Sequence, residues 1–254
     1  MSARFTTATA AFAALLAAAA QAQTPAPQPE VALLNGLTRD LACAPASPRV
    51  KPIRSLIVAG GREAKKTLFG TGDALVIRGG AVQGVKVGDE YYVRRLLDDR
   101  FTEHQPGVYP ISILTAGTVQ IVDAQNDFSV AVVSYNCDGI MEGDYLERFQ
   151  RPSTPSNQAG TAPDFAHPAR LILGAERRQV ASPGNFMVLD RGSDHGIRQG
   201  QQLTIFRRTL NDPEAPVSTV GTATVYTVEA ETSIIRIDTT IDAIYVGDLV
   251  AIHR

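Results

Sequence analysis

The sequence predicts an all-β protein built as two tandem six-stranded β-barrel modules, SH3-like or OB-like, behind a signal peptide and a short helix. Three observations carry this. Residues 75–95 and 187–207 share one turn, with Gly80, Gly84, Val85, Lys86 and Gly88 answered by Gly192, Gly196, Ile197, Arg198 and Gly200. A second shared stretch follows, running from Gly117-Thr118 to Gly143-Asp144-Tyr145-Leu146 and answered from Gly221-Thr222 to Gly247-Asp248-Leu249-Val250. Thirdly, short alternating apolar segments such as Tyr91-Tyr92-Val93-Arg94 and Leu203-Thr204-Ile205-Phe206 fill the space between glycine-, aspartate- and asparagine-rich turns. The offset between copies is 112 residues at Gly84/Gly196 and Gly88/Gly200, and 104 at Gly117/Gly221 and Gly143/Gly247. A loop between Arg95 and Gly117 that is longer in the first copy absorbs the difference, as surface loops can.

Taken in order, residues 1–22 read as a secretory signal. Arg4 precedes an apolar run from Ala8 to Ala20, and Ala20-Gln21-Ala22 is a small-x-small cleavage site before Gln23. The run is shorter than the ~20 apolar residues a membrane span needs, so no transmembrane segment is expected in the mature chain. Cleavage removes Arg4 and no acid. It leaves one fewer than the 24 basic side chains of the full chain against 26 acidic ones, a net charge near −3, so no nucleic-acid partner is expected.

Residues 23–49 form a Pro-rich spacer and a short helix, expected over Glu30–Ala42 with Leu34, Leu37 and Leu41 on one face. The first barrel is placed at 50–150, with strands at 56–59, 74–77, 90–95, 117–123, 128–134 and 145–149. A Pro/Ser-rich linker at 151–167 leads to the second barrel at 168–254, with strands at 171–173, 186–189, 201–207, 219–228, 232–238 and 249–253. Gly84, Gly88, Gly143 and their counterparts Gly196, Gly200 and Gly247 are expected at turns that need positive φ. Val85 and Ile197 are expected to plug the barrel mouths.

Cys43 and Cys137 are the only cysteines, and with no CxxC spacing they are expected to pair as a disulfide tying the helix to the first barrel. By offset, Cys137 corresponds to Ile241, so the second copy has no such tether.

The succession of an apolar strand, Arg78-Gly79-Gly80 or Asp190-Arg191-Gly192, then Gly84-Val85-Lys86-Val87-Gly88-Asp89 or Gly196-Ile197-Arg198-Gln199-Gly200, then a strand ending in Arg95 or Arg207, resembles β-barrel modules of bacterial envelope proteins. It is similar to the C-terminal domain of the flagellar assembly protein T family and to the repeated β region of envelope proteins that carry a LysM module. The resemblance spans residues 50–150 and 168–254 and implies a non-catalytic envelope scaffold or binding module. Gln201 stands where that pattern has an aspartate, and no LysM unit is found, so LysM-type peptidoglycan binding is not carried over.

No catalytic, cofactor-binding or metal-ligating residues are expected. The histidines His104, His167, His195 and His253 lie in no HExxH or nucleophile-elbow pattern, and Asp89, Asp144 and Asp248 occupy turn positions where a carboxylate accepts backbone N–H groups. The glycine-rich turn is followed by no helical pattern that would present an N-terminus to a phosphate. Candidate partner-binding residues are the basic doublets Arg94-Arg95 and Arg207-Arg208, read either as grips for carboxylates or as solvated strand ends, and Phe101 and Tyr109 of the long loop, which either contacts a partner or folds over a barrel end. The expected function is an exported envelope scaffold or binding module, periplasmic or extracellular, with an envelope protein or cell-wall polymer as partner. The alternatives are a secreted enzyme with a site between the barrels and a glycan or small-molecule binder.

Overall fold

A computed structural model describes residues 36–253, apart from 49, 64, 98–110, 152, 154, 157–159, 161, 176–177 and 211–214. The signal segment, the start of the expected helix, and Phe101 and Tyr109 therefore lie outside the described residues. A short helix α1 (Gly36–Ala42) precedes the first barrel. That barrel comprises β1 (Ile57–Gly61), β3 (Ala74–Arg78), β4 (Glu90–Leu97), β5 (Ser112–Ala124), β6 (Phe128–Asn136) and β8 (Tyr145–Arg148), closed in the order β1-β3-β6-β5-β4-β8. The second comprises β9 (Pro163–Gly174), β11 (Phe186–Leu189), β12 (Gln202–Arg208), β13 (Val217–Val228), β14 (Ser233–Thr240) and β16 (Leu249–His253), closed in the equivalent order β11-β14-β13-β12-β16-β9. All pairings are antiparallel.

Each expected strand is present. Two features are additional: the two-residue ribbons β2 (Leu68–Phe69) with β7 (Ile140–Met141), and β10 (Val180–Ala181) with β15 (Ile244–Tyr245). In each ribbon one cross-strand pair is buried, Phe69 with Ile140 and Ala181 with Ile244, and closes the barrel end. The outer pair, Leu68 with Met141 and Val180 with Tyr245, is exposed.

The duplication extends to irregularities. The β4–β5 register shifts between Val93 and Arg94, and β12–β13 shifts at the corresponding Ile205 and Phe206. The shifts in β5–β6 at Thr118/Val119 and Ile121/Asp123 recur in β13–β14 at Thr222/Ala223 and Val225/Thr227. Bulges increase local twist, and a small barrel needs that twist at fixed corners to close. The cores fill accordingly, with Leu75, Ile77, Tyr91, Val93, Val119 and Ile121 in one barrel and Met187, Leu189, Leu203, Ile205, Ala223 and Val225 in the other. Val85 and Ile197 are buried in these cores, as expected of plugs.

Gly84, Gly88, Gly143, Gly196, Gly200 and Gly247 all have φ between 78° and 98°. At Gly84 and Gly196 the left-handed residue ends a short 3₁₀ turn, at Ala81–Gln83 and Ser193–His195, where a side chain would be strained.

Two expectations are corrected. The segment placed in the linker, 151–167, is in part strand, because β9 begins at Pro163, paired with His253. Proline is tolerated there because the first residue of a strand need not donate, and Pro168 lies where the β9–β16 register is interrupted. The second correction concerns the helix. Cys43 and Cys137 are bonded, with Cα atoms 5.6 Å apart, yet α1 does not belong to the first barrel alone. Leu37, Leu41 and Ala44 pack on Phe186, Tyr226 and Ile234 of the second barrel. Beyond the helix, Ala46 bridges Ile113 of β5, the Thr115 hydroxyl donates to the Ala44 carbonyl at 3.1 Å, and the Thr232 hydroxyl donates to the Ser47 carbonyl at 3.2 Å. Residues 36–48 thus form a clasp, covalently fixed to one barrel and apolar against the other.

Candidate functional site

The basic doublets divide by environment. Arg95 and Arg207 occupy equivalent strand ends and make the same bidentate ion pair: Nε to Oδ1 at 2.7 Å and Nη2 to Oδ2 at 2.8 Å, with Asp144 and Asp248 respectively. Arg95 also donates to the Gly139 carbonyl, and Arg207 to the Ala243 carbonyl and the Asp242 carboxylate. These hydrogen bonds to the carboxylates hold both guanidinium pKa values above their ordinary range. The carboxylates are buried and accept a further backbone N–H, from Met141 and Tyr245. Arg95 and Arg207 are therefore internal struts, each committed within its own barrel. A planar fork bonded on three sides has little left to offer a ligand.

Arg208 is also committed, donating to the Phe165 carbonyl at 2.7 Å, which holds the start of β9 against β12. Arg94 differs. Its equivalent in the second barrel is Phe206, which is buried against Phe165. Arg94 projects from the outer face of β4, stacks 4.5 Å from the Tyr92 ring centroid, and lies 3.4 Å from the Glu147 carboxylate. Lys66, a further basic residue, donates to Asp73 at 2.6 Å, a bond that leads the causes holding the Asp73 carboxyl below its ordinary pKa.

The turn carboxylates and histidines take architectural positions. Asp89 accepts the Lys86 N–H at 3.1 Å, and Gln201 accepts the Arg198 N–H at 3.0 Å in the same position, so the side-chain oxygen rather than the charge is what the turn uses. His195 and Gln83 correspond in the same way: each accepts the N–H of the glycine that opens its 3₁₀ turn, Gly192 and Gly80. His253 Nε2 lies 2.8 Å from the Thr204 hydroxyl, and burial lowers its pKa. His167 is exposed beside Asp164 at 3.2 Å. Among the described residues no group of His, Cys, Asp and Glu side chains could hold a metal ion.

A cleft of about 1180 Å³ lies between the barrels. One wall is the outer face of β4 and β8, carrying Tyr92, Arg94 and Glu147, continued by Arg148 at the end of β8, on the side of Tyr91, and by Arg151. The opposite wall is the turn end of the second barrel, with Asp194, Arg198, Gln199, Glu229 and Glu231, and the clasp residues 41–48 line it as well. Gln199 ties the walls together, donating to the Ser153 hydroxyl at 3.1 Å and to the Tyr226 carbonyl at 2.8 Å. A smaller cavity of about 310 Å³ lies beside the disulfide, lined by Asp40, Tyr135, Arg178 and Phe186.

Among the described candidates for partner binding, Arg94 alone faces the cleft. Arg148, Arg151, Asp194, Glu229 and Glu231 carry no signal of their own in the sequence, because each is an ordinary turn or strand-end charge until the second barrel is set against the first. The periodic signal that could have located this wall is the outward-facing alternation Tyr92, Arg94 on β4.

The architecture defines the class: a tandem pair of closed six-stranded antiparallel β-barrels joined by a disulfide-anchored helical clasp. No protein-family model matches the sequence, and no curated protein matches it. Among the described residues no helix is long and apolar enough to cross a membrane.

Proposed function

We propose that this chain is an exported, non-catalytic envelope protein that acts as a scaffold or binding module, and that its partner seats in the cleft between the barrels. The observation that carries this reading is the clasp. A helix bonded to one barrel and packed on the other fixes two modules around a charged cleft, which is how a binding surface is held in shape. Export is supported by the Cys43–Cys137 bridge, a bond that persists in oxidising compartments, together with the signal-like residues 1–22. The non-catalytic reading is supported by the commitments of Asp89, Asp144, Asp248 and His195 to turn geometry.

The test places a photo-reactive residue at position 150, where Gln150 lines the cleft, and as a control at position 128, where exposed Phe128 lies outside it. Irradiation in the producing cell should give a discrete adduct with an envelope component from position 150 alone, on a chain beginning at Gln23. Equal labelling from both positions, or a retained Met1, would count against the proposal. Turnover of a wall polymer lost in Asp89→Asn or His195→Ala would overturn its non-catalytic part.

A further inference from the structure

We infer that the inter-barrel cleft accepts an extended polypeptide segment of mixed charge, its acidic side chains on the first-barrel wall and its basic side chains on the second. This rests on the cleft being the binding site. The charged lining residues sort by wall. Arg94, Arg148 and Arg151 outnumber Glu147 on the first wall, whereas Asp194 and Glu229 outnumber Arg198 on the second.

The arginines are engaged loosely enough to exchange partners. Arg148 pairs with Asp89 at 3.2 Å and Arg151 with Glu90 at 3.6 Å, and both arginine side chains are more than half exposed. Exposed pairs of this kind contribute little, so a ligand carboxylate competes for them at little cost. Arg94, only 12% exposed and stacked on Tyr92, is fixed in place. It provides an oriented guanidinium at the base of the wall.

Shape and surface chemistry select the class of ligand. Small-molecule pockets enclose most of their ligand's surface; this cleft is open along its length and edged by charge. Neutral glycans are held chiefly on open aromatic rings. The two tyrosines here are not open: Tyr92 is covered by Arg94 and Phe149, and Tyr226 packs on Phe186 under the clasp. A polypeptide uses what remains, which is two walls of opposite sign.

The experiment measures fluorescence anisotropy of labelled peptides with the mature, oxidised full chain. The probe is a peptide of about twelve residues, extended at ~3.3 Å per residue, with one acidic and one basic edge. Uncharged peptide and a neutral chitin oligosaccharide are the controls. The two-edged peptide should bind, and Arg148→Glu with Arg151→Glu should weaken it about tenfold or more, as should Asp194→Lys with Glu229→Lys. Combining all four reversals should restore binding, because the peptide can then turn around; general damage to the fold would not be rescued in this way. Binding of the oligosaccharide or the uncharged peptide that ignores the reversals would overturn the inference, as would the absence of any peptide binding at millimolar concentration. If the photo-adduct at position 150 still forms in that case, the site stands and the ligand class is wrong. If it is also lost, both readings fall.

Discussion

The two barrels share their struts and differ in their outer surfaces. Arg95–Asp144 and Arg207–Asp248 have the same two distances, Gly84 and Gly196 the same backbone, and three register shifts fall at matching residues. Where the copies part, the change concerns how one module meets its neighbours. Cys137 receives the clasp, but its counterpart Ile241 is exposed; Arg94 faces the cleft, but its counterpart Phe206 lies under Phe165. What is repeated builds a barrel, and what is not repeated joins two of them.

The largest test of this contrast is the disulfide. Closing a loop with a sequence separation of 94 is worth about 4–5 kcal/mol as an upper figure in the chain-entropy model. Cys43→Ser should therefore lower the unfolding midpoint of the first barrel. Because α1 covers Phe186 and Tyr226, it should also increase hydrogen exchange in β11 and β13 of the second. An unchanged exchange pattern in the second barrel would show that the clasp is not shared.

Next in size is removal of one strut. Asp144→Ala and Asp248→Ala each leave a guanidinium and a backbone N–H without their carboxylate, at a cost of about 3 kcal/mol. Denaturant titration should find similar losses in the two barrels, and a large inequality would break the equivalence. Gly84→Val and Gly196→Val should each cost about 1–3 kcal/mol, since a β-branched residue is strained at positive φ. The smallest effect is expected from exchanging a turn acceptor. Asp89→Gln preserves the accepted N–H and gives up only an exposed pair with Arg148, so it should change stability by less than about 1 kcal/mol, whereas Gln201→Asp also loses the donor to the His253 carbonyl and should cost more. A loss of more than a kilocalorie in calorimetry would mean that the charge at Asp89 matters.

Much of this architecture was legible in the sequence for physical reasons. Positive φ favours glycine strongly, so Gly84, Gly143 and their partners mark turns without ambiguity. Alternation identifies strands of five or more residues such as β4 and β12. It has no purchase on Leu68–Phe69 or Val180–Ala181, which are too short to carry a period.

The helix was legible as an element with an apolar face, but Leu37 and Leu41 do not say against what they pack. The struts could have been read. Arg95 and Arg207, and Asp144 and Asp248, retain opposite charges while much around them changes, which is the pattern of a pair rather than of two separate surface groups. The cleft was not legible at all, since its walls come from surfaces that meet only when the barrels are set side by side.

The clasp has a consequence for the order in which the chain matures. Residues 36–48 emerge early in synthesis, yet the surface they cover belongs to β11, β13 and β14. The hydrogen bond from Thr232 to Ser47 spans 185 residues. The first barrel can close and its disulfide can form while the apolar stripe of α1 is still bare. Contacts this distant along a chain form late, after the loop between them has been closed. Completion of the second barrel is thus the event that buries the stripe, and a chain truncated before β13 would leave Leu37 and Leu41 uncovered for whatever holdase or protease surveys unfinished proteins.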